Sequence, residues 1–323
     1  MDGVSFIVTL FNKSPFLPRV VAALARQEGP WKREFIFVDD GSSDGSGELV
    51  ARLTSGWRER VRVLREPNRG ASAATNLGVS EASHFWLKLV DGDDLLLPDA
   101  TAKLLEAAKA AGQSLAYGGL DTYDAGDPDP LAGRTAPSRH HVETDGLARF
   151  IRNCPANSSS ILLSRPRYRE AGGCDERLIA PDQALFLRLF AKAGGVRLEG
   201  PVALAPKSAP GRLSDHVRRD RYESVLALYY LVAETAELSE RHARLACYRA
   251  LSRAYRFQRH EGGRAIFTGH LLRLAAVRLG LPIDRARAIE KALGAFTLDG
   301  RSERPPEWLP GGLRGKSALE SAG

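Results

Sequence analysis

Apolar and polar positions along the first third of the chain form alternating blocks that predict strands and helices. Val4 to Leu10 is a continuous apolar and β-branched run, which predicts a buried strand. From Leu17 to Ala25 the apolar side chains recur every three or four residues, which predicts a helix with one inward face. Further strands are predicted at 34–38, 61–64 and 85–90, and further helices at 48–53, 71–82 and 98–111. Near-continuous apolar strands that alternate with helices indicate a mostly parallel sheet covered by helices on both faces.

The remainder of the chain changes from a mixed to a helical pattern. Strands are predicted at 114–117, 158–163 and 196–205, a helix at 183–193, and an Asp-, Gly- and Pro-rich connector at 121–139. From 217 to about 296 the periodicity is helical, with interruptions near 261–263 and 280–282. We therefore expect an α/β part over 1–215, a mainly helical region over 216–298 and a flexible tail over 299–323.

The composition is that of an ordinary folded globular protein, with 43% hydrophobic and 26% charged residues. The formal net charge is +7, and arginines concentrate in the predicted C-terminal helices. These arginines have two interpretations, a solvated helical face or a surface that contacts anionic lipid or an acidic acceptor. Nucleic acid is not an expected partner, because no zinc knuckle, recognition helix or ribonucleoprotein motif accompanies the charge.

The cysteine pattern and the lengths of the apolar runs bear on the compartment. Three cysteines at irregular spacing, with no Cys-x-x-Cys pair, indicate neither a disulfide framework nor a zinc site. The first predicted strand leaves no room for a signal segment before it, and no apolar run approaches the length of a membrane span. We expect a cytoplasmic protein, with peripheral contact at the inner face of the membrane as the alternative that the basic helices leave open.

Three polar clusters follow the first, second and fourth predicted strands, at the edge where open parallel sheets bind ligands. They are Asn12-Lys13-Ser14, Asp39-Asp40-Gly41-Ser42 and Asp91-Gly92-Asp93-Asp94. Converging carboxylates repel each other unless a cation neutralises them, and Mg²⁺ and Mn²⁺ prefer carboxylate and phosphate oxygens. Asp91 and Asp93 are therefore the candidate metal ligands, and Gly92 permits a tight turn between them. A helix-cap role is the alternative for Asp94 and for Asp44.

Two further features point to a nucleotide. Asp39 ends its strand at the position where a carboxylate accepts hydrogen bonds from a base edge or from ribose hydroxyls. The segment from Asn68 to Gly78 has small residues at helical spacing, and Arg69 near its start is placed to contact phosphate. Close helix packing is the alternative role for the small residues. The first strand is not followed by the glycine-rich sequence of a dinucleotide fold, nor by the basic glycine-rich loop of a nucleotidyltransferase.

In this order, the motifs resemble those of family 2 glycosyltransferases of the GT-A fold. The segments that carry the resemblance are Val4 to Asn12, Val38 to Asp44, Asn68-Arg69-Gly70 with Asn76-Leu77-Gly78, and Leu89 to Asp94 with Leu97-Pro98-Asp99. The match is good over 4–110, weaker to about 200 and absent beyond 215. It implies an α/β, Rossmann-like GT-A domain, with a nucleotide-sugar-binding part at 1–120 and an acceptor and catalytic part at 121–215.

The resemblance implies transfer of a sugar, with inversion, from a nucleotide diphosphate to an acceptor hydroxyl. A UDP-sugar is the favoured donor, a glycan or lipid-linked molecule is the acceptor, and the setting is synthesis of polysaccharide, lipopolysaccharide or another glycan. A Mg²⁺ or Mn²⁺ ion would bridge the phosphates on a DxD motif, bound by Asp93 and Asp91, with His216 as a third candidate ligand. The implied nucleotide-sugar contacts are Leu10, Asn12, Asp39, Asp40, Arg69, Asn76, Asp91 and Gly92.

The family also carries a general base just ahead of a helix, and Asp182 stands at the matching position. Its segment runs from Pro181 to Leu189 and follows Gly172-Gly173-Cys174-Asp175-Glu176. A helix N-cap is the alternative role for Asp182. The chain departs from the family pattern at Pro181 and Ala184, where acidic residues are common. That departure leaves a second hypothesis, in which the protein is catalytically impaired and binds nucleotide sugars or serves as a scaffold.

Overall fold

The computed structural model describes residues 3–27, 29–178, 181–207, 217–262 and 269–297. The chain divides into two compact units, one of residues 1–146 and 154–210 and one of residues 147–153 and 211–323. The predicted boundaries at 120, 215 and 298 stay predictions, and the tail at 299–323 lies outside the described residues.

The first unit is built on one sheet, to which nine described strands contribute. They are β1 (Gly3–Leu10), β2 (Lys32–Asp39), β3 (Arg60–Arg65), β4 (Trp86–Asp91), β5 (Leu95–Leu96), β6 (Leu115–Tyr123), β7 (His140–Val142), β8 (Ile161–Ser164) and β9 (Val196–Pro206). Their order is β3-β2-β1-β4-β8-β6-β9-β5, and β7 pairs with β9.

Strand direction in this sheet places a crevice beside β1. Strands β1 to β4 pair in parallel, and β6 pairs in parallel with β9. Strand β8 runs antiparallel between β4 and β6, so the sheet is mixed. Because β2 lies on one side of β1 and β4 on the other, the strand order reverses there, and ligands bind at such a switch point. The predicted fold class, a mostly parallel sheet with helices followed by a helical region, is confirmed.

The described residues also form eleven helices. They are α1 (Leu17–Ala25), α2 (Ser46–Leu53), α3 (Ala71–Ser80), α4 (Ala100–Ala110), α5 (Gly146–Arg152), α6 (Arg165–Glu170), α7 (Asp182–Lys192), α8 (Val217–Glu234), α9 (Glu240–Gly262), α10 (Gly269–Arg278) and α11 (Arg285–Thr297). A single 3-10 turn, Ser158–Ser160, precedes β8.

Strand β6 differs most from its predicted extent, because it continues to Tyr123 rather than ending at Tyr117. Gly118 and Gly119 interrupt the apolar pattern, and the pairing with β9 shifts register around Gly119. A side chain at Gly118 would lie 2.4 Å from Val202, so the interruption reflects close packing rather than a loop. The short strands β5 and β7 were not predicted, since pairing with β9 rather than local pattern defines them.

The second unit is helical in its described part. Helix α9 contacts α8, α10 and α11, and the rings of Phe257 and Phe296 lie 4.7 Å apart between α9 and α11. A break at 235–239, which was not predicted, separates α8 from α9. Ser239 marks it, since its hydroxyl accepts from the backbone N–H of His242 at 3.3 Å in the first turn of α9. Among the described helices, none combines the length and the apolar character that a membrane span requires.

The arginines of α9 divide into two groups. Arg253 donates to the backbone oxygen of Ser224 at 3.2 Å, and Arg249 donates to Asn153 Oδ1 at 3.2 Å. The exposed group is Arg241, Arg244, Arg256 and Arg259. At 3.6 residues per turn these four positions fall on one side of the helix. A basic face therefore exists on α9, as both interpretations of the charge require.

Helix α3 lies close to the sheet because it carries Gly78 on its inward face. A side chain at Gly78 would lie 2.4 Å from Ile7 on β1 and 3.1 Å from Val38 on β2. Gly78→Val should therefore overpack this interface by roughly 1–2 kcal/mol and lower the Tm by about 2–8 °C. Differential scanning calorimetry measures the shift. Gly56→Val is the matched control, because a side chain at Gly56 meets nothing within 4 Å; equal Tm values for both variants would contradict the close approach.

Candidate active site

The loops that follow β1 and β2 are joined by hydrogen bonds, which fixes the first two polar clusters. Asn12 has a positive φ of 53°, and its Oδ1 accepts from the backbone N–H of Ser43 at 2.9 Å. Lys13 donates its backbone N–H to Ser46 Oγ at 2.8 Å. Asp44 accepts from the backbone N–H of Ser46 at 3.0 Å, but it is not the N-cap of α2, since Gly45 holds that position. The rim of the crevice is therefore pre-formed on this side.

The two adjacent aspartates that end β2 have different surroundings. Asp39 is fully buried, and its Oδ1 accepts from the backbone N–H of Ser42 at 2.8 Å. Its Oδ2 is buried without a hydrogen-bond partner among the described atoms. Asp40 instead accepts from the backbone N–H groups of Arg69 and Gly70, at 2.7 and 2.9 Å. Asp39 thus has one carboxylate oxygen that accepts no hydrogen bond from the described atoms. Asp40 instead binds the backbone of the loop that leads into α3.

Arg69 and Asn76, both predicted donor contacts, are bound to the segment that precedes α7. Arg69 donates to Glu176 at 2.7 Å. The amide nitrogen of Asn76 donates to Glu176 at 2.8 Å and to the backbone oxygen of Cys174 at 3.0 Å. Its oxygen accepts from Tyr168 Oη at 2.6 Å. Asn76 therefore positions the Gly-Gly-Cys-Asp-Glu segment with both ends of its amide, and direct contact with a nucleotide sugar stays a prediction.

Gly92 lets the acidic turn approach β1 closely. Its backbone N–H donates to the backbone oxygen of Thr9 at 3.0 Å. A side chain at Gly92 would lie 2.7 Å from Leu10 Cδ2 and 2.8 Å from that same oxygen. Leu10 is itself buried, and its side chain packs against the turn. Any side chain larger than hydrogen would therefore displace the acidic turn from the rim.

Within the turn, Asp93 is paired with a lysine from the loop after β1. Lys13 Nζ and Asp93 Oδ2 lie 2.6 Å apart, and the Asp93 side chain is only 8% exposed. The backbone oxygen of Asp93 accepts from Tyr123 Oη at 3.0 Å. The predicted metal ligand thus already contacts one cation.

The polar run before β8 connects this turn to Asp182. Asn157 Nδ2 donates to Asp94 at 2.6 Å and lies 3.3 Å from Asp91 Oδ2. Ser159 Oγ accepts from the backbone N–H of Asp91 at 2.8 Å. Ser158 donates its backbone N–H and its hydroxyl to Asp182 Oδ1, at 2.8 and 2.7 Å. Three consecutive residues therefore bind both the acidic turn and the predicted base.

Asp182 is not the N-cap of α7. It is the first residue of the helix, and the cap position belongs to Pro181, which makes no side-chain cap hydrogen bond. The hydroxyl of Ser158 binds this carboxylate. Its assignment as the general base stays a prediction.

Burial and like charges change the proton affinity of the acidic turn. Burial first, and then the carboxylates of Asp182, Asp94 and Asp93, raise the pKa of Asp91 well above its usual range. Burial, with Asp93 next, raises the pKa of Asp94 to about 7. The Lys13 ammonium acts in the opposite direction on the pKa of Asp91. The protein surroundings alone therefore do not keep all the carboxylates of the turn ionised at neutral pH.

A second lysine lies behind the turn, inside the sheet. Lys88 is fully buried on β4, and its Nζ donates to the backbone oxygens of Ser159 and Leu89, the latter at 3.1 Å. Burial lowers the pKa of Lys88 to about 7, although Asp94 and Asp91 favour its charged form. The core side of the turn therefore holds a titratable cation.

The donor set of the turn fits a divalent cation. Asp91 and Asp93 supply carboxylate oxygens, their mutual repulsion is the kind that a cation relieves, and Asn157 Oδ1 is buried with no hydrogen-bond partner among the described atoms. Over the described residues, no three His, Cys, Asp or Glu side chains are grouped as a metal site. His216, the predicted third ligand, lies outside the described residues.

Several residues of this site were not predicted from the sequence. They are Lys88, Asn157, Ser158, Ser159 and Lys13, for whose side chain no role was predicted. The sequence did offer a signal for Lys88, because a lysine within an otherwise apolar strand is unusual and indicates a special role. The hydroxyl of Ser160 accepts from the backbone N–H of Asn157 at 3.0 Å, a local contact that indicates the 3-10 turn but not its distant contacts.

Comparison with known proteins assigns this part of the chain to a family. Residues 5–154 match the family model described as glycosyl transferase family 2. The chain carries a family 2 glycosyltransferase domain. This confirms the predicted family, since the matched residues include all three polar clusters at the rim.

The curated relatives of this glycosyltransferase domain include bacterial polysaccharide proteins. The chain is 34% identical over 122 residues to the succinoglycan biosynthesis protein ExoO of Rhizobium meliloti (strain 1021), covering 38% of this chain and 34% of that protein. It is 28% identical over 109 residues to the poly-beta-1,6-N-acetyl-D-glucosamine synthase of Staphylococcus epidermidis, covering 34% of this chain and 26% of that protein. The matches thus span about a third or less of these relatives.

Solved structures share the fold of this chain. TarS 1–349 of S. aureus in complex with UDP-GlcNAc aligns with a TM-score of 0.61 and 17% identity, covering 92% of this chain and 81% of that chain. The mannosyltransferase PcManGT from Pyrobaculum calidifontis, in complex with GDP-Man and Mn2+, aligns with a TM-score of 0.56 and 14% identity, covering 91% of this chain and 84% of that chain. At these identities the likeness concerns the fold alone.

The buried lysine predicts a pH dependence of stability. Because the pKa of Lys88 is about 7 when folded and near 10.4 when unfolded, unfolding takes up a proton between these values. The contribution of Lys88 to the stability of the wild type should therefore rise as pH increases from about 7 towards 10, and Lys88→Met should lack that contribution. The Tm of the variant minus that of the wild type should fall across this range in thermal scans.

Lys32→Met is the control for this experiment, because it removes an exposed lysine at the opposite end of β2. Its Tm should follow that of the wild type from pH 7 to 10. A Lys88→Met difference that stays constant with pH would show that Lys88 does not titrate in this window.

Proposed function

We propose that this chain transfers a sugar, with inversion, from a nucleotide diphosphate sugar to an acceptor hydroxyl. The observation that carries the proposal is the run Asn157-Ser158-Ser159. It binds Asp91 and Asp94 on one side and Asp182 on the other. The carboxylates proposed to bind the sugar donor and the candidate base thus share one hydrogen-bonded network in a family 2 glycosyltransferase domain.

Asp39 is the proposed contact for the nucleotide base. Its buried Oδ2 lacks a hydrogen-bond partner among the described atoms, and an N–H group of a base would satisfy it. We favour a UDP-sugar as donor, because uracil offers one such N–H and a structural neighbour, TarS, was solved with UDP-GlcNAc. The carboxylate ends β2 at the switch-point crevice, where a nucleotide is expected in this fold.

Asp93 and Asp91 are the proposed ligands of a Mg²⁺ or Mn²⁺ ion. Their buried, mutually repelling carboxylates fit a hard cation, and the neighbour PcManGT was solved with Mn2+. When bound, the ion would neutralise charge on the donor diphosphate. Gly92 keeps both carboxylates at the rim, since the turn packs directly on Leu10.

Asp182 is the proposed general base. Its carboxylate would take the proton of the acceptor hydroxyl while that oxygen forms a bond to the anomeric carbon. The bond from that carbon to the diphosphate breaks on the opposite face, and the diphosphate leaves with the electron pair, so the configuration inverts. Ser158 orients the base through two hydrogen bonds to one carboxylate oxygen.

The acceptor is proposed to be a glycan or a lipid-linked molecule in polysaccharide, lipopolysaccharide or related glycan synthesis. Relatives named for succinoglycan biosynthesis and for poly-beta-1,6-N-acetyl-D-glucosamine synthesis support this setting. We also propose a cytoplasmic location with peripheral membrane contact. The exposed arginine face of α9 is the surface suited to anionic lipid.

Asp182→Asn tests the assignment of the base. The variant should lose about two to four powers of ten in turnover, because the amide cannot accept the proton, and should bind UDP as the wild type does. Transfer and hydrolysis from UDP-, GDP- and dTDP-sugars with Mn²⁺ measure turnover, and isothermal titration calorimetry measures UDP binding.

Asp127→Asn, in the exposed loop after β6, is the matched control and should leave turnover unchanged. Wild-type turnover in Asp182→Asn would remove Asp182 from the mechanism. No turnover by the wild type with any donor and acceptor would favour the alternative of a nucleotide-sugar-binding or scaffold protein.

Asp39→Asn tests the base contact. The Asn oxygen would accept from the backbone N–H of Ser42, as Asp39 Oδ1 does at 2.8 Å, which would turn the amide N–H₂ towards the nucleobase. Two donors would then face each other, so the Kd for UDP should rise by about tenfold or more. Titration calorimetry with Mn²⁺ measures the Kd, and Asp127→Asn should leave it unchanged. An unaltered Kd for Asp39→Asn would place the base elsewhere.

A further inference from the structure

The ion pair between Lys13 and Asp93 lies where the proposed metal would bind. Lys13 Nζ is 2.6 Å from Asp93 Oδ2, with side-chain exposures of 19% and 8%. At this separation the ammonium occupies the carboxylate oxygen directly, without an intervening water. A metal ion that used the same oxygen would have to displace it.

The backbone of Lys13 is fixed, so only its side chain is free to leave. Its N–H donates to Ser46 Oγ at 2.8 Å, and its carbonyl accepts from the backbone N–H of Phe16 at 2.9 Å. The side-chain stem passes Gly92, where an added side chain would lie 3.1 Å from Lys13 Cγ. The displaced ammonium would therefore stay at the same rim of the crevice.

Charge balance explains why the lysine lies beside Asp93. Asp91, Asp93, Asp94 and Asp182 repel one another, and Lys13 is the cation that contacts this group from the solvent side of the turn. A divalent ion would bring two more positive charges beside the ammonium. A nucleotide diphosphate brings negative charges that attract both cations.

We propose that Lys13 is a competitor of the metal ion for Asp93, which keeps metal affinity low until a nucleotide diphosphate binds. This inference rests on the proposed function, because it takes Asp93 as a metal ligand. With the diphosphate present, the ammonium leaves Asp93 and contacts phosphate oxygen. Metal and nucleotide binding are then coupled through one side chain.

The test measures Mn²⁺ binding rather than activity. The electron paramagnetic resonance signal of free Mn²⁺ gives the Kd for the wild type, Lys13→Met and Asp93→Asn, each with and without saturating UDP. Without UDP, Lys13→Met should bind Mn²⁺ more tightly than the wild type, by on the order of tenfold or more. With UDP, that advantage should disappear or reverse, because the lysine no longer contacts Asp93. Methionine keeps the length of the stem, and circular dichroism checks that the variant folds.

Lys32→Met is the matched control for a general loss of positive charge and should bind Mn²⁺ as the wild type does. Lys13→Met that binds Mn²⁺ no more tightly than the wild type without UDP would overturn the inference. An equal gain in Mn²⁺ affinity by Lys13→Met with and without UDP would overturn it too. That result would indicate that the lysine acts through its long-range electrostatic field rather than by competing for Asp93. Mn²⁺ binding with UDP that survives in Asp93→Asn would instead refute the proposed metal ligand itself, and the inference with it.

Discussion

The accumulation of buried carboxylates at one rim of the sheet is the constraint on which the site depends. Asp91 ends β4, and Asp93 and Asp94 lie in the turn that follows it. Burial together with mutual repulsion raises the pKa of Asp91 and of Asp94. Such a cluster persists only where cations and hydrogen-bond donors surround it. Lys13 contacts it from the rim and Lys88 lies in the core behind it.

The same constraint explains why contacts between distant segments dominate this unit. The acidic turn is held by residues near 9 and near 158, and Ser158 in turn holds Asp182. Asn76 fixes the segment that leads into α7, because its side-chain amide donates to the backbone oxygen of Cys174 and accepts from the backbone N–H of Cys174. The candidate base is thus positioned from outside its own helix.

Sequence pattern predicted the parts of this architecture that are locally encoded. Sequence analysis found the apolar runs of β1, β2 and β4 and the polar clusters that follow them. It could do so because strand period and turn chemistry depend on neighbours in sequence. Strand β5 and the role of Asn157 were missed, since each is defined by a partner more than 60 residues away. A run of serines has no chemistry of its own until the fold brings Asp91 and Asp182 beside it.

The acidic turn also links stability to binding. The pKa of Asp94 is raised to about 7 in the folded protein, so its folded form binds more protons than the unfolded chain between roughly pH 4 and 7. The stability that this proton contributes is present at low pH and lost as pH rises through 7. At neutral pH the turn is therefore a destabilising element, which the packing of Gly92 and the donors of Asn157 hold in place. A cationic ligand would relieve the same repulsion among the carboxylates of the acidic turn. The free energy that this repulsion costs the folded protein would then be recovered when the ligand binds.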